Sequence, residues 1–188
     1  PVVLRFASLD LVRNQWRRYT KTDSINHIGT PDCGQIVLDV DAVNIEENSS
    51  RKPFAYTLPL GIAREQSVGV FSTLQNEQSL VLHVENLCDG ATQGVFKVLD
   101  QDLRVYERMK MFVHAEELSE IGEVPDEALS VFIRMGSDIQ NNYYEYEIPL
   151  IMSDSTQLTG AATSNAYKRE VWKDENAFDF ALKLLKDL

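Results

Sequence analysis

Apolar residues recur at every second position in several short runs of this chain. In Ile36-Val-Leu-Asp-Val-Asp-Ala-Val-Asn-Ile45, the residues Ile36, Leu38, Val40 and Ala42 fall on one face and Asp39 and Asp41 on the other, the period of a half-buried strand. The same alternation marks residues 4–12, and Trp16 and Tyr19 follow, which reads as strand, turn, strand. Residues 79–85, 95–99, 109–115, 128–135 and 143–150 are further strand candidates, with residues 136–142 a polar hairpin loop between the last two. Leu103, Tyr106 and Met109 stand at helical or turn spacing. Residues 153–169 are poor in apolar side chains and are expected to be mobile. Over residues 174–188, Phe178, Leu182 and Leu185 lie at i, i+4 and i+7, which predicts a short amphipathic C-terminal helix.

Many short strands joined by polar turns, with no βαβ unit and no internal repeat, predict a mainly β fold: a jelly-roll or galactose-binding-like β-sandwich ending in a short helix. Between residues 46 and 75 the period dissolves into turn and extended-chain residues such as Pro53, Pro59 and Gly61. That stretch reads as an ordered irregular linker, because a long structureless loop inside one compact domain is uncommon. The expected division is residues 1–45 as edge strands of a first β-domain, 46–75 as linker and 76–188 as the sandwich.

Composition narrows the function classes. With 188 residues, 44% of them apolar, the chain is long enough to bury a core. Its formal charge of -11, from 29 acidic against 18 basic residues, repels polyanions and argues against nucleic acid as a partner. No run approaches the roughly 18 consecutive apolar residues of a membrane helix, and no secretory signal opens the chain. The opening residues Pro1 to Phe6 read as the middle of a domain, so the chain is expected to be an excised or processed fragment. Cys33 and Cys88 lie outside any zinc-ligand spacing, and whether they pair is left to geometry.

Candidate chemistry is sparse. Asp39, Asp41, Glu46 and Glu47 offer oxygen ligands of the kind calcium takes, without EF-hand spacing, and equally describe a solvated strand face, the preferred reading. His27, His83 and His114 are far apart and none belongs to a catalytic signature. Glu116 with Glu117, and Glu145 with Glu147, resemble paired carboxylates of glycosidases only superficially, since adjacent strand residues such as Glu116 and Glu117 point to opposite faces and i, i+2 pairs such as Glu145 and Glu147 usually face water. No catalysis and no cofactor are expected. Tyr143, Tyr144 and Tyr146 with Trp172 could stack a sugar ring, with Arg134 donating to its hydroxyls, which gives a carbohydrate-binding module as the alternative function. Against it, Tyr144 and Tyr146 share a strand face and serve equally well as core.

Longer motifs go further. Asn44-Ile-Glu-Glu-Asn-Ser-Ser-Arg51, Leu58-Pro-Leu-Gly-Ile-Ala-Arg-Glu65, Asn76-Glu-Gln-Ser-Leu80, the run from Leu103 to Glu116, Phe132-Ile-Arg-Met-Gly-Ser-Asp138 and the run from Asn141 to Leu150 closely resemble consecutive stretches of the SprA/Sov proteins of Bacteroidetes. Leu4 to Leu9 and Trp16-Arg-Arg-Tyr19 share the resemblance; residues 151–170 do not. It implies a parent that is a large outer-membrane translocon of the type IX secretion system, serving protein secretion and, in gliding species, motility. It also implies as partners the rest of the translocon, a PorV-like outer-membrane protein, a periplasmic plug and secreted cargo, with this piece facing periplasm or cell exterior. Within it, Asn44, Glu46, Glu47, Asn48 and Arg51 form a polar, irregular motif directly after a strong strand. We read it as a hinge fixed by side-chain-to-backbone hydrogen bonds, Arg51 pairing Glu46 or Glu47, with a contact surface for the translocon as the competing reading.

Overall fold

Alternation becomes pairing at once in this chain, and the pairing stays two by two. The structure, a computed structural model, describes residues 17–21, 36–66, 74–99, 102–118, 124–138 and 140–186. Eight strands occur among them: β1 (Arg17–Lys21), β2 (Val37–Asn44), β3 (Gln78–Glu85), β4 (Thr92–Phe96), β5 (Arg108–Met111), β6 (Ser130–Gly136), β7 (Tyr143–Pro149) and β8 (Phe178–Ala181). They form four two-stranded sheets, β1 with β4, β2 with β3, β5 with β8 and β6 with β7. The fold is thus mainly β, as the alternation predicts. The larger sheets of a jelly roll are not assembled among the described residues. The irregular stretches between strands supply buried core side chains here, in place of further strands.

Two compact units are formed, each from two separate stretches of chain: Pro1–Val43 with Ser79–Gln101, and Asn44–Gln78 with Asp102–Leu188. In the first, β1 runs antiparallel to β4 with Tyr19 opposite Gly94. β2 keeps the expected faces at its start, Leu38 buried and Asp39 exposed. β3 presents Leu80, Leu82 and Val84 in a row, each about two fifths exposed (39%, 42% and 41%). Cys88 is disulfide-bonded, and Cys33, the chain's other cysteine, lies outside the described residues. So do His27, Trp16 and the strand expected over residues 4–12.

The second unit has two apolar clusters. In one, Phe178, Phe180 and Leu182 are buried against Met109, Met111, Val113, Val131, Ile133, Met135 and Ile148. Register explains the assembly: Met109 lies opposite Phe180 and Met111 opposite Phe178, while Val131 faces Ile148 and Ile133 faces Tyr146. The two sheets therefore meet through their alternate apolar side chains. Each buried Phe contributes roughly 1.5–3 kcal/mol of transfer free energy.

This cluster corrects the C-terminal helix. The spacing of Phe178, Leu182 and Leu185 fits a helix, but Phe178, Phe180 and Leu182 fit a strand as well, and burying three large side chains on one face against β5 decides the matter. Residues 174–188 instead give a 3-10 turn at Asp174–Asn176, then β8, then a 3-10 segment at Leu182–Lys186.

The second cluster joins Phe54, Ala55, Tyr167 and Val171, with Leu158, Ala162 and Trp172 packed on it. Phe54, Ala55, Thr57 and Leu58 come from the stretch where no period survives. Tyr167 and Val171 come from α2 (Asn165–Val171), inside and just beyond the segment expected to be mobile. Two apolar residues four apart make a helix of two turns, too short to stand out in composition, and Ser164 caps it by accepting from Tyr167 N–H. Asp154 caps the preceding 3-10 turn, Ser155–Gln157, in the same way.

Candidate functional site

The polar motif is the start of α1 (Ile45–Asn48), which the chain enters straight from β2. Asn44 is its N-cap: the side-chain Oδ1 accepts from Glu47 N–H at 2.9 Å, and its Nδ2 donates to Glu47 Oε2 at 2.6 Å. The Asn44 N–H in turn donates to Asn48 Oδ1 at 3.0 Å. This is a capping-box spacing, Asn-x-x-Glu, with Asn48 taking the acceptor position for the cap's backbone N–H. Ile45 N–H donates to Glu77 O and Glu46 N–H to Asn76 Oδ1, so the turn is stitched to the chain leading into β3.

Arg51 corrects the expected pairing. Glu46 is met by Arg64 at 3.0 Å, and Glu47 is held by Asn44. Arg51 reaches Glu116, 65 residues away, with both Nη atoms on the two carboxylate oxygens. Its Nη1 also donates to Phe54 O at 3.2 Å. The hydrogen bond to Glu116 raises the Arg51 pKa above its ordinary value, outweighing burial. A bidentate pair of this kind fixes orientation as well as distance. Arg64 does similar work at the other end of the segment, donating from Nε to Gln75 O at 2.8 Å.

Beside this network lies His114. Its ring meets Phe54 edge-on with centroids 5.0 Å apart and Trp172 at 6.0 Å, and Trp172 touches Phe112 and Tyr56, both at 6.5 Å. Trp172 Nε1 donates to Thr57 O at 2.8 Å, and Ala55 N–H donates to the Tyr167 hydroxyl at 2.7 Å. Burial pushes the His114 pKa down to about 4. The imidazole is therefore neutral at physiological pH.

The aromatic set proposed for sugar stacking is not brought together. In the β6–β7 ladder Tyr143 lies opposite Gly136 and Arg134 opposite Glu145, whereas Tyr144 and Tyr146 lie opposite Met135 and Ile133 on the other face. Tyr146 stacks on Phe180 with centroids 4.6 Å apart and belongs to the core. Arg134 sits over the Tyr143 ring at 4.4 Å and pairs with Glu145. Trp172 belongs to the Phe54 cluster. The carboxylate pairs are likewise engaged separately: Glu116 by Arg51, Glu117 by Val124 N–H, Glu145 by Arg134, and Glu147 by the Ser130 hydroxyl. Among the described residues no three His, Cys, Asp or Glu side chains gather as a metal site, and no helix is long and apolar enough to cross a membrane.

Sequence reasoning singled out the motif but missed its partners Arg64, Asn76, Glu77 and Glu116, which no local spacing reveals. The capping-box spacing from Asn44 to Glu47 was a readable signal. Comparison with known proteins adds the family: the sequence model of one family, SprA_N, described as a motility related/secretion protein, matches residues 1–188. A search of curated proteins finds no match.

Proposed function

Since the chain belongs to the SprA_N family, described as a motility related/secretion protein, we propose that it is a non-catalytic structural and interaction domain of a large outer-membrane translocon. In this reading the parent is the type IX translocon of a Gram-negative bacterium, which exports proteins and, in gliding species, supports movement. The domain faces water, in the periplasm or at the cell exterior. The observation that carries the reading is the family match along residues 1–188.

The chemistry of the described residues supports a structural role. Acidic side chains that a hydrolase would keep available are tied to arginines, and the buried histidine is held by rings. The row of Leu80, Leu82 and Val84 on β3 is half exposed, as expected of a part that packs against more protein in a larger assembly. Its partners in this reading are other parts of the parent translocon, a PorV-like outer-membrane protein, a periplasmic plug and secreted cargo. The sugar-binding alternative is not retained, because its five residues lie on two faces of one hairpin and in a separate core.

The test is an affinity capture of the full-length parent from outer membranes, with residues 44–51 intact or deleted, followed by mass spectrometry. Recovery of a PorV-like protein and cargo with the intact chain supports the role, and their loss on deletion shows that the domain needs residues 44–51 to hold those partners. Capture of no secretion component by the intact protein overturns it.

A further inference from the structure

We propose that His114 is an acid-operated latch: protonation expels it from the slot between Phe54 and Trp172 and opens the cluster that holds residues 51–58 against α2.

The slot is built for a neutral ring. His114 Nε2 is buried and has no hydrogen-bond partner among the described residues. A second proton on the imidazole would place a charge between the edges and faces of Phe54 and Trp172, with a donor that finds no acceptor. The charged groups facing the ring come from each element packed on it. Glu116 and Glu170 favour protonation; Arg51 and Lys173 oppose it. Both carboxylates are already neutralised, Glu116 by Arg51 and Glu170 by Lys173 at 2.8 Å, so no free anion waits for an imidazolium. Burial therefore dominates and holds the folded pKa at about 4, below the ordinary 6.5.

The direction of the pH effect follows from that order. Between 6.5 and about 4 the open state binds the proton first, so the closed cluster is stable above 6.5 and loses stability as pH falls, until the folded pKa is passed. One proton taken up on opening changes the closed-to-open ratio roughly tenfold per pH unit, roughly 300-fold over the whole window. Opening frees what the slot locks: the Trp172 bond to Thr57 O and the Tyr167 bond to Ala55 N–H, next to the Arg51–Glu116 pair.

The test uses the full chain carrying Trp16→Phe, so that fluorescence reports Trp172 alone, over the pH range from 7.5 to 3.5. Hydrogen exchange at Ala55, corrected for intrinsic rates, and NMR titration of the His114 ring are read in parallel. The expected result is a Trp172 transition and a rise in Ala55 exchange that begin below 6.5 and coincide with His114 protonation, both absent in His114→Leu and His114→Gln. Two results overturn the latch. One is the same transition in the variants, which assigns it to carboxylates. The other is protonation of His114 with Trp172 fluorescence and Ala55 exchange unchanged. The second reading needs only the unsubstituted histidine, so it decides the matter even if both variants fail to fold.

Discussion

Asn176 is the least exposed polar residue of the core at 0%, and its side chain does what a neighbouring strand would do. Oδ1 accepts from Ile151 N–H and Nδ2 donates to Ile151 O, both at 2.8 Å, the two bonds of a hydrogen-bonded pair in an antiparallel ladder. Asn176→Ala removes both and leaves a backbone donor and acceptor without partners. An unsatisfied buried group costs about 1–3 kcal/mol, and Ile151 is only half-buried, so the two together cost about 3 kcal/mol. That is a large part of the stability of about 5–15 kcal/mol typical of a domain. Urea unfolding followed by Trp172 fluorescence in the Trp16→Phe chain measures it, and Ile151 amide exchange localises it. Asn176→Asp sharpens the test. Its carboxylate keeps the acceptor for Ile151 N–H but sets a buried charge against Ile151 O, so its pKa in the fold is raised. The folded state then binds the proton first, and stability increases as pH falls, opposite to carboxylates that are ion-paired or hydrogen-bonded in the fold. A cost below about 1 kcal/mol for Asn176→Ala would refute the ladder role, because even one unmet group exceeds it. A stability of Asn176→Asp that falls with acid would refute it as well.

Other elements give equally definite expectations. Arg51→Ala and Glu116→Ala each cost about 2 kcal/mol, less than a fully buried pair because the side chains remain 28% and 17% exposed. The double variant costs clearly less than the sum, which a double-mutant cycle in urea measures; strict additivity denies the coupling. Gly136→Ala would put a Cβ 2.0 Å from Asn142 O and 2.5 Å from Tyr143 Cα, so the hairpin must shift, and amide exchange along β6 and β7 should rise together. Asp138 accepts from Asn141 N–H, from the Asn142 side-chain amide, and from Gln140 and Asn142 N–H, and these bonds hold its carboxyl near 2. Its contribution to loop order is present above 3.8 and lost as pH falls through about 2, so Asn141 amide exchange should respond there and lose that response in Asp138→Ala.

Much of the β content was legible because one face of each strand is buried and the other is wet. β2, β3, β6 and β7 lie close to where alternation places them, and the polar loop between β6 and β7 is where it was read. Two strands slide. β4 ends at Phe96 and leaves Val98 and Leu99 exposed, and β5 stops at Met111, since pairing partners and not side-chain period set strand ends. At the C-terminus Phe178 and Leu182 fit both periods, and only the presence of β5 as a neighbour selects the strand. α2 was hidden by its brevity. The partition along the chain into three successive segments differs in kind from the contact units, which each draw on two separate stretches.

At the candidate site the limit is distance along the chain. The motif from Asn44 to Arg51 stood out as polar residues where a strand should end, and its cap is written locally in Asn44 and Glu47. Arg51 had acidic neighbours at four and five positions, but the carboxylate that wins lies 65 residues on, where the chain after β5 brings Glu116 to the guanidinium that also donates to Phe54 O. For the tyrosines, parity alone separates Tyr143 from Tyr144 and Tyr146; where Trp172 would sit was not written in any local pattern.

In the proposed role this chain is a working part of a protein-export machine. The most direct measurement is the set of proteins released by the bacterium that encodes it, compared between the intact gene and a version carrying Arg51→Ala with Asn176→Ala, at matched levels of the full-length protein in the outer membrane. Secreted proteins should then fall in the medium and accumulate inside the cell. An unchanged set of released proteins, with the altered parent present in normal amount and its second unit unfolded by hydrogen exchange, would contradict it.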